Sequence, residues 1–593
     1  MTVIYKGLDC LADKDDPEYT KLKTISQSGV NAWAYQKNYG YYVLYFGAVL
    51  IFLMIIKKIW FTFNDYSYRN TKIGGGKYNL SSLNKFIGIT RLISYKKLPI
   101  ILSRITGLPA SIGTLIILIS STLFVLCYCF IPHFWYRACR GFGSPPLSVR
   151  AGLMCMGMTP FIFILSGKTN FISAMTGISY EKLNIYHQAL GWGCLFLSLV
   201  HTIPFLVQPV REGGASNLSK TFKSDNLYQN GIPAQIVLGL LCLLSTRFSR
   251  KLCYEVWLHA HWILGIAYFA LLTWHNVRGS TELDAEQYMW GTLGFWGFQM
   301  IYRALVKTSF FKPNQYVFKA KKGELSRLSN GNFQIIIKVE TPYELNWKPG
   351  QHLFIRFVYG LSTLDNHPFS ILSIPKQDSK SHIKLIVKPH NGLTKKIYNL
   401  IEDDDEKAGK QLNLYIDGPY GGINRDVLSF DKVLMVSSGS GVTVTWPFVE
   451  YIVDNLDKLT NMTQQFEFKW IIKNNESIEW IQEELINIQP KIVHNKQEVL
   501  ENTDSSSSTD DLKSIEEKIS ISNLHHFITI HKGQKPSMSS YLQQVELLSK
   551  NCVIVSGTQS LQCDVGNAVS QLQRKVIKGE IDELYLHSEN FGW

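Results

Sequence analysis

Apolar runs of roughly 20 residues, the length a helix needs to cross the hydrocarbon core, recur along the first half of the chain and stop near Thr308. The pattern predicts seven spans, near residues 41–60, 112–131, 151–173, 186–207, 232–245, 256–275 and 288–305, the fifth being the shortest. Past Leu305 the texture is that of a water-soluble protein. Residues 333–339 and 352–357 read as strands, apolar and β-branched between Gly, Pro and Asn. From Lys432 onward, apolar strands at 432–436, 468–472 and 552–555 alternate with helical stretches, the rhythm of a parallel α/β sheet. Residues 501–522 are polar, lack aromatics and carry a serine run at Ser505–Ser508, so a disordered insertion is expected there.

Charge adds a direction to this pattern. The net charge of +13 suggests a nucleic-acid binder until its distribution is considered. Between Lys57 and Ser111 there are ten Lys or Arg against one acid, Asp65. Such a loop stays cytosolic by the positive-inside tendency, so no nucleic acid is needed to explain the charge. An odd number of spans then puts the N-terminus outside and everything after Leu305 in the cytosol, although Arg137, Arg140 and Arg150 run against the rule. No cleavable signal peptide is visible, so the first run is expected to be an uncleaved anchor. The ten cysteines are scattered, with no CxxC pair for zinc or an iron–sulfur cluster and no disulfide framework. Asn217-Leu218-Ser219 is a glycosylation sequon in an expected outer loop.

Four histidines lie in or at the ends of two apolar runs: His187 and His201 in one, His261 and His275 in the other. Both separations are fourteen residues. Fourteen steps return to within about 40° of the same helix face and rise about 21 Å. Two facing helices of this kind can grip two haems through neutral imidazoles, one near each side of the membrane. Topology pairs His187 with His261 at the cytosolic end and His201 with His275 at the outer end. The alternative, four unrelated packing histidines, asks costly buried polar groups to repeat by accident. His259 turns to nearly the opposite face from His275, and His133 stands alone. Gly191 and Gly193 would let a flat macrocycle approach the backbone.

The second half carries nucleotide motifs. Fifteen residues after His352 comes His367-Pro368-Phe369-Ser370, which offers a flavin an aromatic surface and a hydroxyl. Gly392 and Thr394 offer a backbone nest and hydroxyl for its pyrophosphate. Gly418-Pro419-Tyr420-Gly421 is a glycine-rich turn before a new domain, assigned with the NADPH residues. A strand then runs into Gly439-Ser440-Gly441-Val442-Thr443, where free N–H groups at a helix start suit a dinucleotide pyrophosphate. Lys473 at the end of a later strand suits a 2′-phosphate and favours NADPH over NADH. The terminal Trp593 is placed to cover a flavin ring. Each motif alone has a plain alternative, a β-turn or a surface lysine.

Taken in order, these motifs resemble the fungal ferric reductase family within the NADPH oxidase superfamily, from about Arg150 to Trp593. Arg150-Ala151-Gly152, Leu165-Ser166-Gly167 and Thr176-Gly177-Ile178 before His187 look like that family's lead into its first haem helix. The resemblance implies an α-helical transmembrane haem-binding bundle of about seven helices followed by a ferredoxin-reductase-like module, an FAD-binding β-barrel and an NADP-binding α/β domain. The boundaries expected are 1–40 as a short extracytosolic segment, 41–61 as anchor, 62–111 as a basic cytosolic loop, 112–307 as the two-haem domain, 308–430 for FAD and 431–593 for NADPH. It implies hydride transfer from NADPH to FAD and then single electrons through two b-type haems. Where the family has Cys-Gly-Pro near the nicotinamide, this chain has Ser556-Gly557-Thr558, and Lys473 stands where Arg is usual. The leading expectation is a plasma-membrane metalloreductase acting on ferric or cupric chelates, with an endomembrane as the other location. A superoxide-generating NADPH oxidase that reduces O₂ uses the same path, and the short N-terminus favours it. A transporter or scaffold with a decayed reductase domain is the remaining reading, supported by Ser556 alone.

Overall fold

The computed structural model describes residues 17–27, 36–73, 81–132, 135, 144–277, 285–307, 320–328, 331–340, 345–360, 363, 365–376, 380–390, 392–402, 410–455, 465–488, 492–493, 515–521, 526–533 and 535–590. Its principal helices are α1 (Asn38–Ile73), α2 (Ser81–Ser94), α3 (Ile112–Phe130), α4 (Pro146–Ser166), α5 (Tyr180–Ser224), α6 (Asn226–Leu244), α7 (Tyr254–Val277), α8 (Glu286–Tyr302), α9 (Leu393–Glu402), α10 (Val442–Asp454) and α11 (Gln559–Lys578). The chain divides into two units, one of Met1–Lys57 with Ile117–Tyr302, the other of Lys58–Ile116 with Arg303–Trp593.

The first unit is a helix bundle. Among the described residues six helices are long and apolar enough to cross a membrane. The expected seventh is α8, a helix of only 17 residues, so the count is close to the seven expected. Helix α4 runs through the middle, with nearly every residue buried. It can do so because small residues let neighbours close in: a Cβ at Gly157 would meet the Gly40 carbonyl oxygen at 2.5 Å. The third span was expected to reach residue 173 but ends at Ser166. There Gly167 leaves the helical conformation, and Asn170 caps a separate short helix, Phe171–Thr176, by accepting from the Ser173 N–H at 2.6 Å. Helix α5 kinks at Gly213 and Gly214, so Asn217 sits on helix beyond the kink.

The second unit holds two sheets. Strands β1 (Lys321–Leu328), β2 (Asn332–Glu340), β3 (Gln351–Phe357), β4 (His367–Ser370), β5 (Lys380–Val387) and β6 (Lys410–Gly421) form a six-stranded antiparallel sheet in the order β4-β3-β6-β1-β2-β5. A bridge between Ile371 and Leu385 links its two ends into a barrel. Inward residues such as Leu325, Ile335, Leu353 and Leu385 are wholly buried, the period-two pattern of strands with one face in a core.

Strands β7 (Lys432–Ser438), β8 (Gln465–Ile472), β9 (Ile492–Val493), β10 (Ile515–Ile521), β11 (His526–Lys532), β12 (Lys550–Gly557) and β13 (Glu583–Asn590) form the second sheet in the order β13-β12-β7-β8-β11-β10-β9. The strands from β13 to β11 run parallel. The central strands β7 and β12 are buried on both faces and carry near-continuous apolar runs, Val433–Val436 and Cys552–Val555.

Two expectations need correction. The stretch expected to be disordered, 501–522, supplies β10, paired antiparallel with β11 from Ile515↔Lys532 to Ile521↔His526. The serines and acids around it dominate the composition and obscure the strand in the sequence. Residues 501–514 and 522 lie outside the described residues. The basic stretch 62–111 is also no open loop. Helix α1 continues to Ile73, and α2 packs on α11 and β13 of the second sheet.

Candidate electron-transfer site

The four histidines form two facing pairs within the helix bundle. His187 on α5 faces His261 on α7 with ring centroids 6.3 Å apart, and His201 faces His275 at the same 6.3 Å. A metal ion bound by two imidazoles at about 2 Å per bond needs ring centres about 6 Å apart. The spacing therefore fits one iron between each pair. No His259 ring joins either pair; its Nδ1 accepts from the Trp262 indole at 3.4 Å. His133 lies outside the described residues.

Which nitrogen faces the gap is set by the partner of the other. His187 Nδ1 lies 2.9 Å from the Ile162 carbonyl oxygen and His201 Nδ1 lies 2.9 Å from that of Ser148. A carbonyl only accepts, so both Nδ1 atoms carry the hydrogen and both Nε2 atoms are left as ligands. His275 Nδ1 donates to Asn230 Oδ1 at 2.8 Å. His261 Nδ1 lies 3.0 Å from the Ser245 hydroxyl, whose own hydrogen goes to the Leu241 carbonyl at 2.5 Å. The Ser245 oxygen is thereby the acceptor, and His261 takes the same tautomer as the other three. Close packing holds the rings of His201 and His275: a Cβ at Gly152 would meet His201 at 2.6 Å, and one at Gly231 would meet His275 at 3.0 Å. One turn after His187 and His261 stand Gly191 and Gly265, with nothing within 4 Å of where a Cβ would project. That is room for a flat macrocycle. Gly193 instead lies over Met158.

In the barrel, His367, Pro368, Phe369 and Ser370 are β4 itself, paired with β3 from His352↔Ser370 to Ile355↔His367. Just before them, both side-chain amide atoms of half-buried Asn366 are shielded from solvent and have no hydrogen-bond partner among the described residues, as a flavin-binding edge would leave them. Gly392 has φ +100°, open to glycine, and precedes α9. The Thr394 hydroxyl closes this turn, accepting from the His390 N–H at 2.9 Å. Gly418, Pro419, Tyr420 and Gly421 belong to β6 of the barrel and not to the nucleotide sheet, with Tyr420 opposite His352 on β3. The Tyr420 hydroxyl donates to Asp417 at 2.6 Å, and Arg303 pairs with the same carboxylate. This turn thus lies beside the strand that carries the flavin motif, because β3 pairs with both.

The nucleotide motifs gather at the C-terminal edge of the parallel sheet, where ligands of such sheets bind. β7 runs into Gly439, Ser440 and Gly441, after which α10 begins. The Trp470 indole holds the turn by donating to the Gly439 carbonyl at 2.9 Å, and Thr443 donates to that of Ser440 at 2.9 Å. β12 ends beside it: a Cβ at Gly441 would meet the Ser556 carbonyl oxygen at 2.5 Å, and one at Gly557 would meet the Ser438 hydroxyl at 2.2 Å. Lys473 is exposed directly after β8, on the same edge. Ser556 is fully buried and its hydroxyl has no partner among the described residues. β13 pairs with β12 up to Asn590↔Gly557, which brings the chain to this edge. Trp593 lies outside the described residues.

Three family models match in the order of these sites. A ferric reductase like transmembrane component matches residues 151–272, an FAD-binding domain 309–424 and a ferric reductase NAD binding domain 430–570. Along the whole chain, "Ferric/cupric reductase transmembrane component 7" of Saccharomyces cerevisiae is 34% identical, with 100% of this chain and 99% of that protein covered. The chain belongs to the ferric reductase family. "Ferric/cupric reductase transmembrane component 1" of Candida albicans is 26% identical over 57% of this chain and 41% of that one. Among solved structures, flavohemoglobin from Malassezia yamatoensis aligns at a TM-score of 0.32 and 11% identity over 75% of this chain and 96% of that chain, a likeness too slight to carry an argument. Membership makes this ferric reductase relative an integral, multi-pass oxidoreductase with flavin- and nicotinamide-nucleotide-binding domains.

Several residues at these sites escaped the sequence reading. Asn230 was visible as a polar residue in an apolar run. Ser245 ends such a run and looks like any helix-terminal serine. Ile162 and Ser148 contribute main-chain oxygens, which no side-chain pattern reveals.

Proposed function

We propose that the chain passes electrons from cytosolic NADPH, through FAD and two b-type haems, to ferric or cupric ion on the opposite face of the membrane. The observation that carries this reading is the pair of histidine tiers, each spaced for one iron, in a chain aligned end to end with a ferric/cupric reductase. Bound FAD accepts hydride as two electrons, and haem carries one at a time. The chain's own residues bind and orient. His187 with His261 and His201 with His275 hold iron through Nε2. His367, Pro368, Phe369, Ser370, Gly392 and Thr394 hold the flavin, with Asn366 at its edge. Gly439, Ser440, Gly441, Thr443 and Gly557 receive the NADPH pyrophosphate, Lys473 its 2′-phosphate, and Gly418, Pro419, Tyr420 and Gly421 line the flavin side of the same cleft. Ser556 is assigned to the nicotinamide end, and Trp593, outside the described residues, is assigned to cover the flavin ring.

The basic stretch after Lys57 supports a cytosolic second unit, and the plasma membrane is the location assigned, where an outward acceptor is useful. The test uses isolated membranes: NADPH oxidation is followed without O₂, with ferric or cupric chelate as acceptor, and again with O₂ alone. Chelate reduction under anaerobic conditions is expected, at rates that fall when His201 or His275 is replaced by Ala. Superoxide formation without chelate reduction would overturn the metalloreductase reading in favour of an oxidase.

A further inference from the structure

We propose that Cys155 and Cys194 form a reversible disulfide that ties α4 to α5 inside the bundle, midway between the two histidine tiers. The two sulfurs stand 2.6 Å apart, closer than unbonded sulfurs rest and a short step from the roughly 2.05 Å of a disulfide. Cys155 is 5% exposed and Cys194 not at all. Cys155 Sγ also lies 3.7 Å from the Cys194 carbonyl oxygen, so it sits directly over its partner's backbone. No other two described cysteines bring sulfur against sulfur. Cys127 and Cys253 are exposed, and Cys242 turns its thiol to the Gly191 carbonyl.

The position is singular as well. Cys194 stands seven residues from both His187 and His201, and Tyr268 stands seven from both His261 and His275. Seven residues are about two helical turns, about 10 Å. The Tyr268 hydroxyl lies 3.8 Å from Cys194 Sγ, within reach of a hydrogen bond to sulfur. A sulfur pair and a phenol thus occupy the level between the tiers. The disulfide itself needs neither haem nor flavin.

The chemistry balances with a peroxide as oxidant, a small neutral molecule able to enter an apolar bundle. Cys194 sulfur, with the Tyr268 O–H donating to it, attacks one peroxide oxygen. The O–O bond breaks, and the departing hydroxide takes a thiol proton and leaves as water. Cys155 sulfur then displaces the hydroxyl of the resulting sulfenic acid, the S–O bond breaks, and a second water leaves with the second thiol proton. Two S–H bonds and one O–O bond are lost, one S–S bond forms, and the sulfur pair's two electrons reduce peroxide to water. A dithiol reductant reverses the bond by exchange.

The test uses the full-length protein in membranes, with and without hydrogen peroxide, alkylated under denaturing conditions and then reduced and alkylated with a second, mass-distinct reagent. Mass spectrometry reads each cysteine. Cys155 and Cys194 are expected to lose the first label together and recover the second after reduction, with a linked peptide lighter by two hydrogens before reduction. In the Cys194→Ala variant, Cys155 is expected to keep the first label, and in Cys155→Ala, Cys194 is expected to gain no disulfide partner. Retention of both first labels at a peroxide dose that oxidises exposed Cys253, or pairing of either cysteine with a different one, overturns the proposal. The wild-type labelling decides even where a variant fails to fold. Loss of metal reduction would challenge the proposed function and leave this result standing.

Discussion

At His261 the tautomer hangs on one hydroxyl. The Ser245 oxygen accepts from Nδ1 because its own hydrogen is spent on the Leu241 carbonyl. Replacing Ser245 with Ala removes the acceptor and leaves the His261 Nδ1–H without that partner, beside the His187–His261 pair. Outer partners of this kind are worth about 10–100-fold in metal affinity. Ser245→Ala is therefore expected to lower haem occupancy of the inner site, or to shift its midpoint potential, while the outer pair titrates as before. Redox titration of the haem absorbance, with haem counted per polypeptide, separates these; an unchanged inner potential at full occupancy would discount the hydroxyl. His187→Ala supplies the limit, with half the haem per chain expected. The facing of the four histidines was legible in the sequence because a helix repeats its face and fourteen residues return to it. Their partners were not, because two of the four are main-chain oxygens and the other two come from a different helix.

Among the elements, the edge shared by β7 and β12 tolerates no side chain. A Cβ at Gly441 would press on the Ser556 carbonyl at 2.5 Å and on the Gly557 nitrogen at 2.8 Å, both backbone atoms that cannot swing aside. Gly441→Ala is expected to push the two turns apart and weaken NADPH binding by at least an order of magnitude, since the N–H groups at a helix start bind an anion only when they converge on it. The barrel is a separate sheet, so its flavin content is expected to stay near one per chain. Stopped-flow reduction of the flavin by NADPH, compared with reduction by dithionite, reads the two effects separately. The Gly-x-Gly turn was legible because it follows an apolar strand and opens a helix. Strand β10, seen in its pairing with β11, was not, since the serines and acids around it decided the composition of that stretch. The same composition-led reading took the basic stretch after α1 for a loop. In the structure it carries α2, whose buried positions among those described are Gly88 and Arg91, while Leu83, Phe86, Ile89 and Ile93 stay exposed.

Within the second unit as a whole, five charges are buried together where α1, α2, β12 and β13 meet. Asp65 binds Arg425 at 2.5 Å and Lys550 at 2.6 Å, while Glu583 binds Arg91 at 2.7 Å and Arg425 at 2.9 Å. All five side chains are 8% exposed or less. Two of them, Asp65 and Arg91, come from the segment that precedes all three family matches, so the nucleotide sheet is completed by a part of the chain outside those matches. Removing one partner from a buried network strands the rest, at a cost of about 3–5 kcal/mol. Asp65→Ala, which leaves Arg425 and Lys550 short of an anion, is expected to lower the unfolding temperature of the second unit, read by release of flavin fluorescence on heating. The same network fixes a pH dependence. Burial opposes the Glu583 charge, but Arg425 and Arg91 beside it hold its carboxyl well below the usual carboxylate range. A carboxylate depressed in the folded state binds its proton more readily when unfolded, so its stabilisation is present above the ordinary carboxylate range. It is lost as pH falls through that range and below. Flavin release is therefore expected to move to lower temperature between about pH 5 and pH 3. In Glu583→Gln that acid dependence is expected to flatten on a lower baseline, because the amide cannot neutralise Arg91 and Arg425. An acid slope as steep in the variant as in the parent would assign the transition to other carboxylates.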